Sequence, residues 1–196
     1  TELAEDLRDE LLAVFDRESR VVVGPGIKPA RELRGDILAD PRNKESITRI
    51  AAEQNIGRTK MLKESRKILQ EIAADFNLLA IKILSSLLTL VFNQMYEGID
   101  VDHEGLDRLR RTALDSRIVL VPSHKSHVDY LVISYVFYRH GLIPPHIAAG
   151  VNLSFWPLGP LFRRSGAFFL RRTFVGDPLY AALFNAYLVK LLEEGF

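Results

Sequence analysis

The feature that most constrains how this chain can fold is the change of pattern across residues 118–138. An apolar, largely β-branched run, Ile118-Val119-Leu120-Val121, is followed closely by the polar stretch Ser123-His124-Lys125-Ser126-His127. After Asp129 comes an apolar run rich in tyrosine, residues 130–138. The first run reads as a buried strand and the last as a buried helix. Strand, tight polar turn and helix in that order predict an α/β layer. The carboxyl end of a buried strand is where such layers present reactive groups. Here the turn offers two histidines and one carboxylate.

The flanking sequence extends the same alternation. Residues 105–114 predict a short amphipathic helix with Leu106, Leu109 and Ala113 inward, after a strand candidate at 99–101. Beyond the tyrosine-rich helix, residues 146–150 and 166–170 predict two further strands. Pro157, Gly159 and Pro160 break the segment between them, leaving room for one helical turn up to Arg164. Asp177-Pro178 is an N-cap followed by proline at the first helical position, and it opens a helix to about Glu194.

The first half reads as mainly helical. Leu3, Leu7, Leu11, Val14 and Phe15 keep helical spacing. Residues 20–23 form a short strand candidate ended by Gly24-Pro25-Gly26. Residues 28–41 carry mixed signals and read as loop with a turn of helix. Ile47, Ile50 and Ala51 predict a helix that closes at Asn55-Ile56-Gly57. From Thr59 one long pattern follows, with Leu62, Leu69, Ile72, Ala73, Phe76, Leu79, Ile83 and Leu87 on one face. Beyond Asn77 its polar side nearly vanishes, so this part is either buried between layers or in contact with lipid. The expected architecture is α/β: a central, mostly parallel sheet flanked by helices, preceded by a largely helical region. The predicted division falls between residues 97 and 98. Both ends are expected to be cut from a longer protein.

Composition narrows the chemistry. The chain has no cysteine, which excludes disulfides, thiolate zinc sites and a cysteine nucleophile. The formal net charge of +1 gives no general pull toward nucleic acid. Charge is unevenly spread, however. Residues 117–172 hold seven Lys or Arg and a single acid, Asp129, a local field that suits an anionic ligand.

Within the polar turn, a neutral imidazole is the commonest general base for a hydroxyl, and it works best when a carboxylate fixes its tautomer. A helix beginning just after Ser126 can fold Asp129 back toward His124. His127 is the rival base on the same turn. Asp129 has a second reading, because Ser126-His127-Val128-Asp129 fits a capping box. A metal site made from two histidines and one acid would need both rings to turn inward on one tight loop, so no metal is assigned. His103, His140 and His146 lie at element ends and read as structural.

Arg163-Arg164 and Arg171-Arg172 are interleaved with Phe162, Phe168, Phe169 and Phe174. Arginine forks grip phosphate bidentately, and Arg171-Arg172 sit at a predicted strand exit. A solvated basic edge is the alternative. The segment Phe155-Trp156-Pro157-Leu158-Gly159-Pro160 also has two readings, a core loop or a membrane-interface loop.

At these residues the chain resembles the glycerol-3-phosphate 1-O-acyltransferases, the long bacterial membrane-associated type. His124-x4-Asp129 matches the family's first motif, and Gly166-Ala-Phe-Phe-Leu-Arg-Arg172 matches its Gly-x-x-Phe-x-Arg-Arg run. Residues 144–150 and 152–157 also look like this branch. The resemblance implies His124 as the base, Asp129 as its orienting partner and Arg172 as the main phosphate-binding arginine. Arg171, Gly166, Phe169 and Ser126 complete the implied substrate-binding set. It implies glycerol 3-phosphate as acceptor, acyl-CoA or acyl-carrier protein as donor, and no metal or redox cofactor. It further implies a membrane surface as partner, at the cytoplasmic face of the inner membrane, and no nucleic acid. A third motif, Glu-Gly-x-Arg-Ser, is expected beyond Phe196, so the chain alone is expected to be inactive. Two alternatives stay open: a non-catalytic module that binds anionic lipid, and an acyltransferase for another phosphorylated acceptor such as dihydroxyacetone phosphate.

Overall fold

A computed structural model of the chain describes residues 28–95, 98–123 and 129–194, together with Arg8, Leu11, Leu12, Val14 and Phe15. Among the described residues, eight α-helices and one pair of parallel strands are delimited. The fold is therefore α/β with a predominantly helical first half, as expected. The chain falls into two compact units that interleave along the sequence. One comprises Lys28–Leu84 and His146–Glu194; the other is built around Ser85–Pro145.

The first of these units is founded on three helices, α1 (Ala30–Ala39), α2 (Pro41–Glu53) and α3 (Arg58–Ile72). Helix α1 occupies a segment expected to be mostly loop. Its apolar positions Ala30, Leu33 and Ile37 do keep helical spacing and are buried. Gly35 and the charges around it obscured that pattern. Asp40 accepts the Arg42 amide at 2.8 Å and precedes Pro41, so cap and N1 proline start α2. That helix ends where Asn55 takes a left-handed backbone (φ 53°), a conformation asparagine tolerates.

Helix α8 (Pro178–Glu194) completes the core of this unit by packing on α1, α2 and α3. Its buried side chains are Leu179, Tyr180, Leu183, Tyr187 and Leu191. The Tyr180 amide donates to Asp177 Oδ1 at 2.9 Å, which confirms the predicted N-cap.

The long helix expected from residue 59 is two helices. α3 stops at Ile72 and α4 (Leu78–Met95) starts afresh. The interruption has a local cause. Arg163 covers the end of α3 by donating to the carbonyls of Gln70 (3.2 Å), Glu71 (2.8 Å) and Ala73. Residues 73–77 then run extended, with the Asp75 and Asn77 amides donating to the carbonyls of Arg163 and Arg164. Asn77 restarts the helix by accepting the Leu79 amide at 2.8 Å. Periodicity alone carries straight across a break made by a residue 90 positions away.

β1 (Ile147–Gly150) and β2 (Ala167–Leu170) pair in parallel, Ile147 opposite Ala167 and Gly150 opposite Leu170. A short 3-10 turn and α7 (Leu158–Arg164) connect them. α7 is longer than the single turn expected there. Ala149, Ala167 and Phe169 form a small buried cluster against which Leu153 and Phe162 pack.

The other unit holds the rest of α4, α5 (His103–Asp115) and α6 (Asp129–Arg139). Phe92 and Tyr135 meet edge to face at 5.3 Å between centroids, and Thr89 Oγ1 lies 3.3 Å from the Tyr135 hydroxyl. Arg110 Nη2 donates to the His140 carbonyl at 2.6 Å, holding the C-terminal end of α6 to α5.

Two expected strands are not formed. Residues 99–101 are loop; they are too few, and Asp102 beside them is committed to capping α5 through the Gly105 amide at 2.9 Å. The run 118–121, expected to be a buried strand, has no ladder partner among the described residues. Val119 is 75 % and Val121 88 % exposed. β-branched residues favour extended backbone, but a strand also needs a neighbour for its amides and carbonyls. The expected strand at 20–23 lies outside the described residues. Leu11, Val14 and Phe15 are helical as expected, and they are exposed, Phe15 by 73 %.

Candidate active site

The site residues suggested by sequence fall on two separate elements. His124 and Ser126 lie outside the described residues, as does the rival base His127. Asp129 is the first residue of α6 and is half-buried. The arginine-bearing motif lies in the other unit, along β2 and its exit.

Gly166 opens that motif with φ +102°. Only glycine takes this backbone without strain, which gives the motif's first position a physical reason. The Gly166 carbonyl accepts two bonds, from the Ile147 amide at 3.1 Å and from His146 Nδ1 at 3.0 Å. A carbonyl can only accept, so Nδ1 carries the hydrogen. Burial pushes the His146 pKa down to about 4, opposed in part by that hydrogen bond. The ring also packs on Phe76 at 5.3 Å. His146 is thus a neutral peg at the start of both strands, in keeping with its structural reading. Phe169, two residues before the arginine pair, is fully buried in the strand cluster.

The two consecutive arginines at the strand exit have opposite fates. Arg171 is engaged on every side. Its Nε and Nη2 bind the two Glu71 oxygens at 2.7 and 2.8 Å, and Nη1 binds Asp177 Oδ2 at 3.0 Å. Its guanidinium lies over the Tyr180 ring at 4.4 Å, and its backbone amide donates to the Tyr180 hydroxyl at 3.1 Å. The hydrogen bonds that Arg171 donates to Glu71 are the largest cause of its raised pKa. Arg172 is exposed, and no ion pair with another described residue holds it. The same division recurs at the end of α7. Arg163 caps α3 and lies over the Phe169 ring at 4.7 Å, while Arg164 is exposed. Of four arginines suited to phosphate, Arg163 and Arg171 are engaged by other groups of the chain, and Arg164 and Arg172 are exposed.

Sequence reasoning missed Glu71. It lies in a charged helix face and looked like solvated surface; nothing in its spacing pairs it with a residue 100 positions on.

Between Ser154 and Gly159 the chain makes a compact turn. Ser154 Oγ donates to the Val151 carbonyl at 2.6 Å, and the Gly159 amide to the Phe155 carbonyl at 2.7 Å. A Cβ at Gly159 would collide with the Ser154 backbone carbonyl, so this turn too requires glycine. It leaves Phe155 53 % and Trp156 83 % exposed, and the core-loop reading fails.

Residues 100–196 match the family model described as Acyltransferase. This matched segment holds the His-x4-Asp pair and the strand-exit arginines. The chain is also similar to bacterial proteins named glycerol-3-phosphate acyltransferase. It is 44 % identical to that of Pasteurella multocida, 45 % to that of Actinobacillus succinogenes and 42 % to that of Histophilus somni, in each case over 183 residues. Those matches cover 93 % of this chain and 22 % of each relative. The chain spans about a fifth of the length of the curated relatives it matches.

Proposed function

We propose that this chain is the catalytic-motif part of a glycerol-3-phosphate acyltransferase, which transfers an acyl group from acyl-CoA or acyl-carrier protein to the sn-1 hydroxyl. The observation that carries the reading is the similarity over nearly the whole chain to proteins of that name, with the His-x4-Asp spacing intact and an exposed arginine, Arg172, at the second motif. His124 takes the proton of the acceptor hydroxyl as the oxygen attacks the thioester carbonyl. The tetrahedral intermediate collapses by breaking the C–S bond, and the leaving thiolate recovers the proton from the imidazolium. Asp129 holds the imidazole in the competent tautomer and steadies its cation. Arg172 receives the substrate phosphate. Products are 1-acylglycerol 3-phosphate and the free thiol carrier. The experiment is His124→Ala in the longest natural form of the protein. A loss in kcat of at least about 100-fold is expected; wild-type turnover would overturn the mechanism.

Contact with a membrane surface, at the cytoplasmic face of the inner membrane, is part of the same proposal. No helix among the described residues is long and apolar enough to cross a membrane. Two exposed features support surface contact instead. One is the Phe155-Trp156 turn. The other is the face of α4 that carries Leu79, Ile83, Leu87 and Leu90, all exposed. Residues 130–176 contain no acid to repel an anionic headgroup.

A further inference from the structure

The ion-pair cluster on Arg171 points beyond the motif to a residue outside the family-matched segment. We propose that Glu71 is a positioning residue for the phosphate site, fixing Arg171 so that Arg172 alone is presented to the acceptor's phosphate. The inference rests on the reading of Arg172 as the phosphate-binding group.

Three observations carry it. First, Arg171 cannot serve phosphate as it stands. Both carboxylate oxygens of Glu71 and one of Asp177 occupy its fork, and Tyr180 lies under its plane. A bidentate arginine–carboxylate pair fixes orientation as well as charge. Second, Glu71 is itself held. It lies in the last turn of α3, and its own carbonyl accepts from Arg163 Nη2 at 2.8 Å. Arg163 in turn lies over Phe169, inside the strand that leads to the arginine pair. The helix end and the strand exit are therefore fastened at two points on either side of Phe169. Third, the Arg171 backbone is pinned through its amide to the Tyr180 hydroxyl. With side chain and backbone of Arg171 both held, the adjoining Arg172 starts from a fixed Cα and faces solvent.

The arrangement does two jobs. It withdraws from the phosphate a second cation that would otherwise compete for it in a different geometry. It also reduces the freedom that Arg172 must lose on binding, which is how preorganised groups gain affinity.

The test compares KM for glycerol 3-phosphate, KM for the acyl thioester and kcat in the longest natural form of the protein. Glu71→Gln should raise KM for glycerol 3-phosphate about three- to tenfold and leave KM for the thioester unchanged. Glu71→Asp, which keeps the charge, should retain more of the wild-type value. Arg171→Gln should match Glu71→Gln, and the double variant should be no worse than either, because the two act as one unit. An unchanged or lowered KM for glycerol 3-phosphate in Glu71→Gln would overturn the positioning role. So would equal losses for both substrates that track a lowered melting temperature, or an Arg171→Gln effect far larger than that of Glu71→Gln, which would make Arg171 a direct ligand. Arg172→Ala separates the two levels. If it leaves KM unchanged, the phosphate reading itself falls; if it raises KM while Glu71→Gln does not, only the positioning role falls.

Discussion

At the scale of single residues, His146 gives the clearest pH signature. Its ring is half-buried and neutral, with a pKa pushed down to about 4 from an ordinary value of 6.5. Between those values the unfolded chain binds a proton that the folded chain does not. Stability is therefore full above about pH 6.5 and falls as pH drops toward 4, by up to about 3 kcal/mol for a shift of this size. Melting temperatures of wild type and His146→Gln, measured from pH 7.5 to 4, should converge toward the acid end. A constant difference across the range would show that His146 does not titrate in this window. Gly166→Ala should also destabilise, by on the order of 1–2 kcal/mol, because alanine is strained at φ +102°. Chemical denaturation reads this directly, and an unchanged midpoint would contradict it. Much at this scale was legible in sequence. The motif glycine, the Asp177 cap and the structural character of His146 all follow from local pattern. The ion pairing of Arg171 beside an exposed Arg172 does not follow from spacing, because adjacent identical residues differ only in which way each points.

At the scale of elements, the joint between α3 and α4 is the informative one. Its extended residues are buried in part and need partners for their backbone. The Ala74 amide donates to the Tyr187 hydroxyl at 3.0 Å, and burial pushes that phenol's pKa up to about 12. Tyr187→Phe removes the acceptor and leaves a buried amide unsatisfied, so it should cost about 1–3 kcal/mol. Equilibrium urea unfolding checks it; a loss under a few tenths would mean that water reaches Ala74. Helix periodicity found seven of the eight delimited helices in whole or part, yet it fused two and nearly lost α1. Fusion happened because the breaking residues, Arg163 and Tyr187, lie in other parts of the chain. The strand pair β1–β2 was legible because its residues are apolar and have each other as partners. The run at 118–121 is also apolar, but it has no such partner among the described residues.

For the whole molecule, the packing of the last helix on the first three matters most. Helix α8 lies in the family-matched segment, but it buries its side chains on α1–α3, which precede that segment. Five buried side chains at about 1.5–3 kcal/mol each approach the entire stability of an ordinary domain. Residues 98–196 expressed alone should therefore lack a cooperative thermal transition and bind a hydrophobic dye, while residues 28–196 melt cooperatively. A sharp transition in the shorter piece would show that α8 finds another support.

The open run at 118–121 has a colloidal consequence. Val119 and Val121 are largely exposed, and an apolar, β-branched stretch with no ladder partner among the described residues can template pairing with another molecule. Light scattering of the chain should grow with concentration and time at fixed temperature, and a single lysine at Val119 should suppress that growth without moving the melting temperature. The purification of this chain would then be governed less by its core than by two valines that take no part in it.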